Sequence, residues 1–302
     1  MAILSKIPVG IQTFEIIREE GYVYVDKTTF LVKLIDTGKV FFLARPRRFG
    51  KSLTISTFES LFTGKKELFK GLDAEEFMNR PNYQPSPVIW LDMSMVSTCY
   101  GRDGITESIL GIVEGAARTL KVKLPNTNLP GKALKELICL TAEKYNQKVV
   151  ILLDEYDKPY TDFVNNTDKA NEVRDMLRDF YSQIKANDRY IRFTFITGIS
   201  KFAKLGVFST LNTLEDISLT PEFTEMCGYT EEEIIRYFPD WLDETAQFMQ
   251  ISTDELIEKM RHYYNGFCFN FVNEKRLYNP FWRKLASWSN WNSCLKNNRN
   301  IS

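Results

Sequence analysis

Apolar residues along this chain gather in two ways: in short unbroken runs, and in longer segments where they recur every three or four positions. Val40-Phe41-Phe42-Leu43-Ala44 and Val149-Val150-Ile151-Leu152-Leu153 are unbroken runs. Runs of that length, apolar on both faces and rich in β-formers, predict central parallel strands covered by helices on each side. Val88 to Met93, Arg192 to Thr197 and a short Leu214 to Leu219 segment predict further strands. Helical spacing fills the gaps. It appears in Ile55, Phe58, Leu61 and Phe62; in Ile109, Val113, Ala117 and Leu120; in Leu134, Leu137 and Ile138; and in Val173, Met176, Leu177, Phe180 and Ile184. Strands alternating with helices imply a parallel, doubly wound sheet. Before it, residues 11–37 read as a helix, a short strand at Tyr22–Val25, and a second helix stopped by Gly38.

After Pro221 the pattern turns helical. Thr230 and Glu233 have capping-box spacing, with Tyr229 and Ile234 placed as a hydrophobic staple. Ser252 and Glu255 repeat the arrangement with Ile251 and Leu256. Two capped helices after the sheet predict a small lid or winged-helix-like appendage.

The first run leads directly into Arg45-Pro46-Arg47-Arg48-Phe49-Gly50-Lys51-Ser52, and a helical pattern follows. Strand, loop, helix is the context a phosphate-binding loop requires. Gly50 lets backbone approach a phosphate, and the N–H groups of a helix start point at the anion. Lys51 would reach the β- and γ-phosphates, and the Ser52 hydroxyl would ligate magnesium. The nucleotide-binding set is Arg47, Arg48, Phe49, Gly50, Lys51, Ser52 and Leu53. One position departs from the usual G-x-x-x-x-G-K-[ST] pattern: Arg45 stands where the first glycine belongs. Arginine disfavours the φ > 0 turn made there, and Pro46 removes an N–H. The loop must open differently, with Arg47 and Arg48 as charged donors.

The second run ends in Asp154-Glu155. Asp154 would hold magnesium, and Glu155 would orient or deprotonate the attacking water. Asp157 is a further nearby acid. Ligands sit beyond the carboxyl ends of strands in open α/β sheets, so Thr197 and Ser200 are placed to sense the γ-phosphate. Lys51, Glu155 and Thr197 are the catalytic candidates, and Ser52 and Asp154 the metal ligands. The Asp26-Lys27 pair is a further candidate nucleotide contact, with Asp26 alternatively a helix N-cap.

Arg-Pro-Arg-Arg-Phe-Gly-Lys-Ser, Leu-Leu-Asp-Glu-Tyr-Asp-Lys-Pro and Phe-Ile-Thr-Gly-Ile-Ser-Lys-Phe resemble the bacterial AAA-ATPase-like family, as do Tyr24 to Thr28 and Tyr264-Asn265-Gly266. The resemblance runs from about residue 6 to 281. It makes the Arg-initiated loop that family's own variant. It implies an α/β fold: a P-loop NTPase three-layer parallel sheet with a small C-terminal helical or winged-helix-like appendage. It also implies ATP and Mg2+ as ligands. The corresponding divisions are an ATPase domain at 1–220, an appendage at 221–281 and an unrelated, disordered tail at 282–302. Family members usually continue into a PD-(D/E)xK nuclease-like domain. Residues 282–302 contain no Asp or Glu, so no nuclease chemistry is expected here. A truncation or frame change is the expected origin of the tail.

Lys+Arg and Asp+Glu both number 39, giving zero net charge, which argues against a strongly electrostatic nucleic-acid binder. The tail's tryptophans and basic residues are weak support for nucleic acid. No apolar run is long enough to span a membrane. The five cysteines lack a C-x-x-C pair and read as free thiols in a reducing cytoplasm. The expected activity is Mg-dependent ATP binding and slow hydrolysis driving a conformational switch. The alternatives are a nucleotide-gated protein-interaction module with little hydrolysis and a nucleic-acid-associated ATPase. A homo-oligomer or protein partner is expected to supply an arginine finger. Arg47 and Arg48 are candidates in cis, and Arg189 and Arg192 are placed to face a neighbouring subunit.

Overall fold

A computed structural model describes residues 5–99, 101–163, 166–199, 213–264, 266–270, 272 and 275–280. In chain order the elements begin with α1 (Phe14–Glu19), α2 (Thr28–Thr37), β1 (Val40–Ala44), α3 (Lys51–Thr63), α4 (Ala74–Met78) and β2 (Val88–Asp92). Then come α5 (Gly101–Thr119), α6 (Pro130–Tyr145), β3 (Val149–Asp154), α7 (Lys158–Thr161), α8 (Thr167–Ala186), β4 (Ile191–Gly198) and β5 (Glu215–Asp216). The C-terminal elements are α9 (Glu231–Tyr237), α10 (Pro239–Met249), α11 (Thr253–Tyr264), β6 (Phe267–Cys268) and β7 (Arg276–Leu277). The chain forms two compact units. One is Thr28–Pro46 with Ile55–Ser218; the other is the described part of Met1–Lys27, Arg47–Thr54 and Leu219–Ser302.

The larger unit is built on a five-stranded sheet of order β2-β3-β4-β1-β5, with every pairing parallel. The five apolar residues of β3 are fully buried, each contributing about 1.5–3 kcal/mol of hydrophobic stabilisation. Side-chain alternation divides them between two layers. Val149, Ile151 and Leu153 join Ile109, Val113, Leu134, Leu137, Leu177 and Phe180 from α5, α6 and α8. On β4 the aromatic residues meet α3: Phe58 lies 5.3 Å from Phe193 and 4.8 Å from Phe195. Helices on both faces explain why these strands read as continuous apolar runs rather than alternating ones.

Two strand expectations change. In the Leu214 to Leu219 segment only Glu215 and Asp216 are in strand register with β1; the Ile217 N–H still donates to the Phe42 carbonyl at 3.0 Å, and the Asp216 carboxylate then accepts the Ser218 N–H at 2.9 Å and turns the chain. Tyr22–Val25 forms only an isolated parallel bridge, Tyr22 with Lys6.

In the smaller unit, α9 carries the predicted capping box. Thr230 Oγ1 accepts the Glu233 N–H at 3.2 Å, and Glu233 Oε2 accepts the Thr230 N–H at 2.9 Å. Ser252 Oγ likewise accepts the Glu255 N–H at 3.1 Å. Between these helices lies α10, opened by Pro239. Ile234, Phe238, Leu242, Ala246, Leu256 and Met260 pack with Val25, Tyr229 and Tyr278 into one core. β6 and β7 form a short antiparallel ladder, and Tyr229 bridges Tyr278 just beyond it.

Candidate functional site

The chemistry-bearing residues of the sheet stand at its carboxyl edge. Asp154 closes β3 with only 2% of its surface exposed. A buried carboxylate needs donors, and two converge on one oxygen: the Thr197 hydroxyl from β4 and the Glu155 N–H at 3.0 Å both donate to Oδ1. The same Glu155 N–H lies 3.4 Å from Thr197 Oγ1. Glu155 itself has φ 49°, the left-handed region, which costs a non-glycine residue on the order of 1–2 kcal/mol. The backbone is held there by the Asp154 and Thr197 side chains. Strain maintained at a half-buried acid next to a buried carboxylate is a feature of functional positions.

The segment after Glu155 is clamped to the end of β4. Tyr156 N–H donates to the Thr197 carbonyl at 3.0 Å. Asp157, 1% exposed, accepts the Ile199 N–H at 3.2 and 3.3 Å. That engagement makes Asp157 a strut between this segment and the end of β4. Gly198 leaves no room for a side chain: a Cβ there would lie 2.5 Å from the Tyr156 ring.

β1 lies beside β4 with Leu43 opposite Thr197 and Ala44 opposite Gly198. Arg45 follows, 1% exposed, and its guanidinium donates to the carbonyls of Ala44 at 3.0 Å and Ser218 at 2.7 Å. The arginine in place of the first glycine is thus a buried tie between β1 and the chain beyond β5. It is absent from the positive-φ residues, which in this stretch are Arg48 (φ 65°) and Gly50 (φ 99°). The tight turn has moved down the loop, as the missing glycine requires.

In the loop, Arg47 and Arg48 are exposed, Phe49 and Lys51 are buried, and Gly50, Ser52 and Leu53 are half-buried. Lys51 and Ser52 open α3, so the helix start follows the glycine as the motif demands. The Thr54 hydroxyl donates to the Gly50 carbonyl at 3.1 Å. The Phe49 ring packs edge-on to Phe267 and Phe269 at 4.9 and 5.2 Å.

Lys27 is occupied by an ion pair with Glu233, the capping-box glutamate. Arg192 lies near the amino end of β4, away from Thr197, and donates to Gln84 O at 2.7 Å and Ser86 Oγ at 2.8 Å. Arg189 lies over the Tyr190 ring, 4.5 Å from its centroid. Neither lies at the strand tips where phosphate chemistry is expected. Ser200 and the tail 282–302 lie outside the described residues.

A parallel sheet with Gly-Lys-Ser at the start of the helix after β1 and an acid pair after β3 is the strand–loop–helix setting that a phosphate-binding loop requires. The chain belongs to the family described as predicted AAA-ATPase, whose model matches residues 8–208. An "Uncharacterized protein in vnfD 5'region" of Azotobacter chroococcum mcd 1 is 37% identical over 278 residues, which is 92% of this chain and 51% of the relative. The chain therefore spans about half the length of that curated relative. The crystal structure of Cdc6p from Pyrobaculum aerophilum aligns with 72% of this chain and 47% of its own at 12% identity and a TM-score of 0.31. A likeness that low bears on neither activity nor mechanism. Among the described residues, no helix is long and apolar enough to cross a membrane.

Proposed function

We propose that this chain binds ATP with magnesium on Gly50-Lys51-Ser52 and hydrolyses it slowly, using turnover as a conformational switch. The observation that carries the reading is the Asp154–Thr197–Glu155 arrangement. It is a buried carboxylate aimed by two donors, followed by an acid held in a strained turn, at the edge of the sheet from which the Gly-Lys-Ser loop departs. Both donors use Asp154 Oδ1, so Oδ2 is the oxygen available for the water shell of a hard cation. A carboxylate and a serine hydroxyl are oxygen ligands of the kind Mg2+ takes. When bound, Mg2+ neutralises phosphate charge. Lys51 holds the β- and γ-phosphates, Thr197 fixes the Asp154 carboxylate, and Glu155 orients a water and takes its proton.

Slow turnover follows from where the arginines lie. Arg47 and Arg48 belong to the loop and bind ground-state phosphate. Arg189 and Arg192 are engaged at the other end of β4. An arginine finger adds roughly 10³–10⁵ in rate and is left to a second copy or a protein partner. In this reading residues 1–220 carry the ATPase, and 221–281 form an appendage that responds to turnover. Free thiols at Cys99, Cys139, Cys227 and Cys268 suit a reducing cytoplasm. The test is phosphate release with and without DNA. Slow, Mg-dependent release unaffected by DNA is expected. Binding without release would favour the interaction module, and stimulation by DNA a nucleic-acid-associated ATPase.

A further inference from the structure

We propose that Phe49 is a positioning residue that ties the phosphate-binding loop to the β6–β7 ladder, so that the loop and the ladder respond together when a nucleoside triphosphate binds. The proposal rests on the reading of Gly50-Lys51-Ser52 as the nucleotide loop. Phe49 is 1% exposed and sits between two residues with left-handed backbone, Arg48 (φ 65°) and Gly50 (φ 99°). The unfavourable backbone at Arg48 needs an external hold, and the Phe49 ring supplies one. It is plugged edge-on against Phe267 of β6 at 4.9 Å and Phe269 at 5.2 Å. Those two rings stack on each other at 6.2 Å and 16°, forming the socket.

The backbone is held as well. Gly228 donates its N–H to the Phe49 carbonyl at 3.2 Å, and a Cβ on Gly228 would come within 2.6 Å of the Phe49 ring. Glycine is required there both by that approach and by φ 86°. On the far side of the loop, Thr54 Oγ1 lies 3.6 Å from Cys227 Sγ. Residues 227 and 228 thus clasp the loop from Phe49 to Thr54. The next residue, Tyr229, pairs with Tyr278 through N–H···O bonds of 3.1 and 2.8 Å, immediately after β7. The amides offered to a phosphate are therefore aimed by a plug seated in a different part of the chain. Coupling of this kind is reciprocal: whatever phosphate does to the loop is felt at the ladder, and loosening the ladder weakens phosphate binding.

Hydrogen exchange on the full chain, with and without Mg-ATP, tests this, with calorimetry on the same samples reporting binding independently. Mg-ATP should slow exchange at residues 227–229 and 276–278 by about tenfold or more in the wild type. Phe49→Ala should lose that protection and bind Mg-ATP roughly tenfold more weakly, and Phe49→Leu, which keeps most of the apolar bulk in the socket, should lose less of both. Phe267→Ala, outside the loop, should weaken Mg-ATP binding in the same direction and serves as the second variant if Phe49→Ala does not fold. Wild-type binding heat with unchanged exchange at the ladder would overturn the coupling while leaving the ATP assignment standing. Absence of binding heat in the wild type would overturn the ATP assignment and the coupling with it.

Discussion

Replacing Thr197 with valine probes the strand-tip geometry with little change of shape. Thr197 is fully buried and its hydroxyl donates to Asp154 Oδ1. Losing a hydrogen bond to a charged acceptor costs about 1.5–3 kcal/mol. The added methyl returns about 0.8 kcal/mol through burial, leaving a net loss of roughly 1–2 kcal/mol. The Glu155 N–H, 3.0 Å from Asp154 Oδ1, still holds the carboxylate, so the fold should survive. In urea, the unfolding midpoint should fall with an unchanged slope. The Mg2+ concentration needed for half-maximal ATP binding should rise several-fold, since Asp154 is left with one of its two donors. Thr197→Ser loses a methyl but keeps the hydroxyl, so it should lose some stability and keep the Mg2+ requirement of the wild type. If Thr197→Val matched the wild type in both stability and Mg2+ requirement, the role given to the Thr197–Asp154 contact would be wrong.

Other expectations follow from the same arrangement. Glu155→Gln should retain ATP binding and lose about 10²–10⁴ in phosphate release, because an amide can hold a water but cannot take its proton. Gly198→Ala should destabilise by about 1–3 kcal/mol in chemical denaturation, since its Cβ meets the Tyr156 ring at 2.5 Å. The hydrogen bond from Arg261, assisted by Tyr278, holds the Glu231 carboxyl below its ordinary 4.5. A depressed folded value stabilises above the unfolded pKa and is lost as pH falls through the folded one. Glu231→Gln should therefore remove part of the stability lost below about pH 4.5 in acid titration of unfolding, relative to wild type.

The central strands were legible because their signal is local. β1 and β3 are covered on both faces, so each appears as an unbroken apolar run. The Thr230–Glu233 box was equally plain, since both partners lie within one helical turn. What escaped depends on residues far apart in the chain. The inward turn of Arg45 needs the Ser218 carbonyl, and the burial of Phe49 needs Phe267, Phe269 and Gly228. Nothing near Arg45 or Phe49 announces those partners. The left-handed turn at Glu155 is held by the Asp154 carboxylate together with Thr197 from β4, and no propensity of glutamate foretells it. α10 was missed for a different reason: it starts at Pro239 right after α9, without a new side-chain cap to mark its beginning. The order of strands in the sheet likewise follows from packing that no single segment records.

The most direct test of the account is calorimetric titration of Mg-ATP into the wild-type chain and Lys51→Ala side by side. Lys51 opens α3 immediately after Gly50 and is 5% exposed, so on the proposed reading its replacement removes the cation assigned to the β- and γ-phosphates. The account predicts saturable binding by the wild type and a loss of about two orders of magnitude in affinity for Lys51→Ala, with both proteins unfolding at similar denaturant concentrations. Equal affinity in the two proteins, or no binding by a folded wild type, would contradict it.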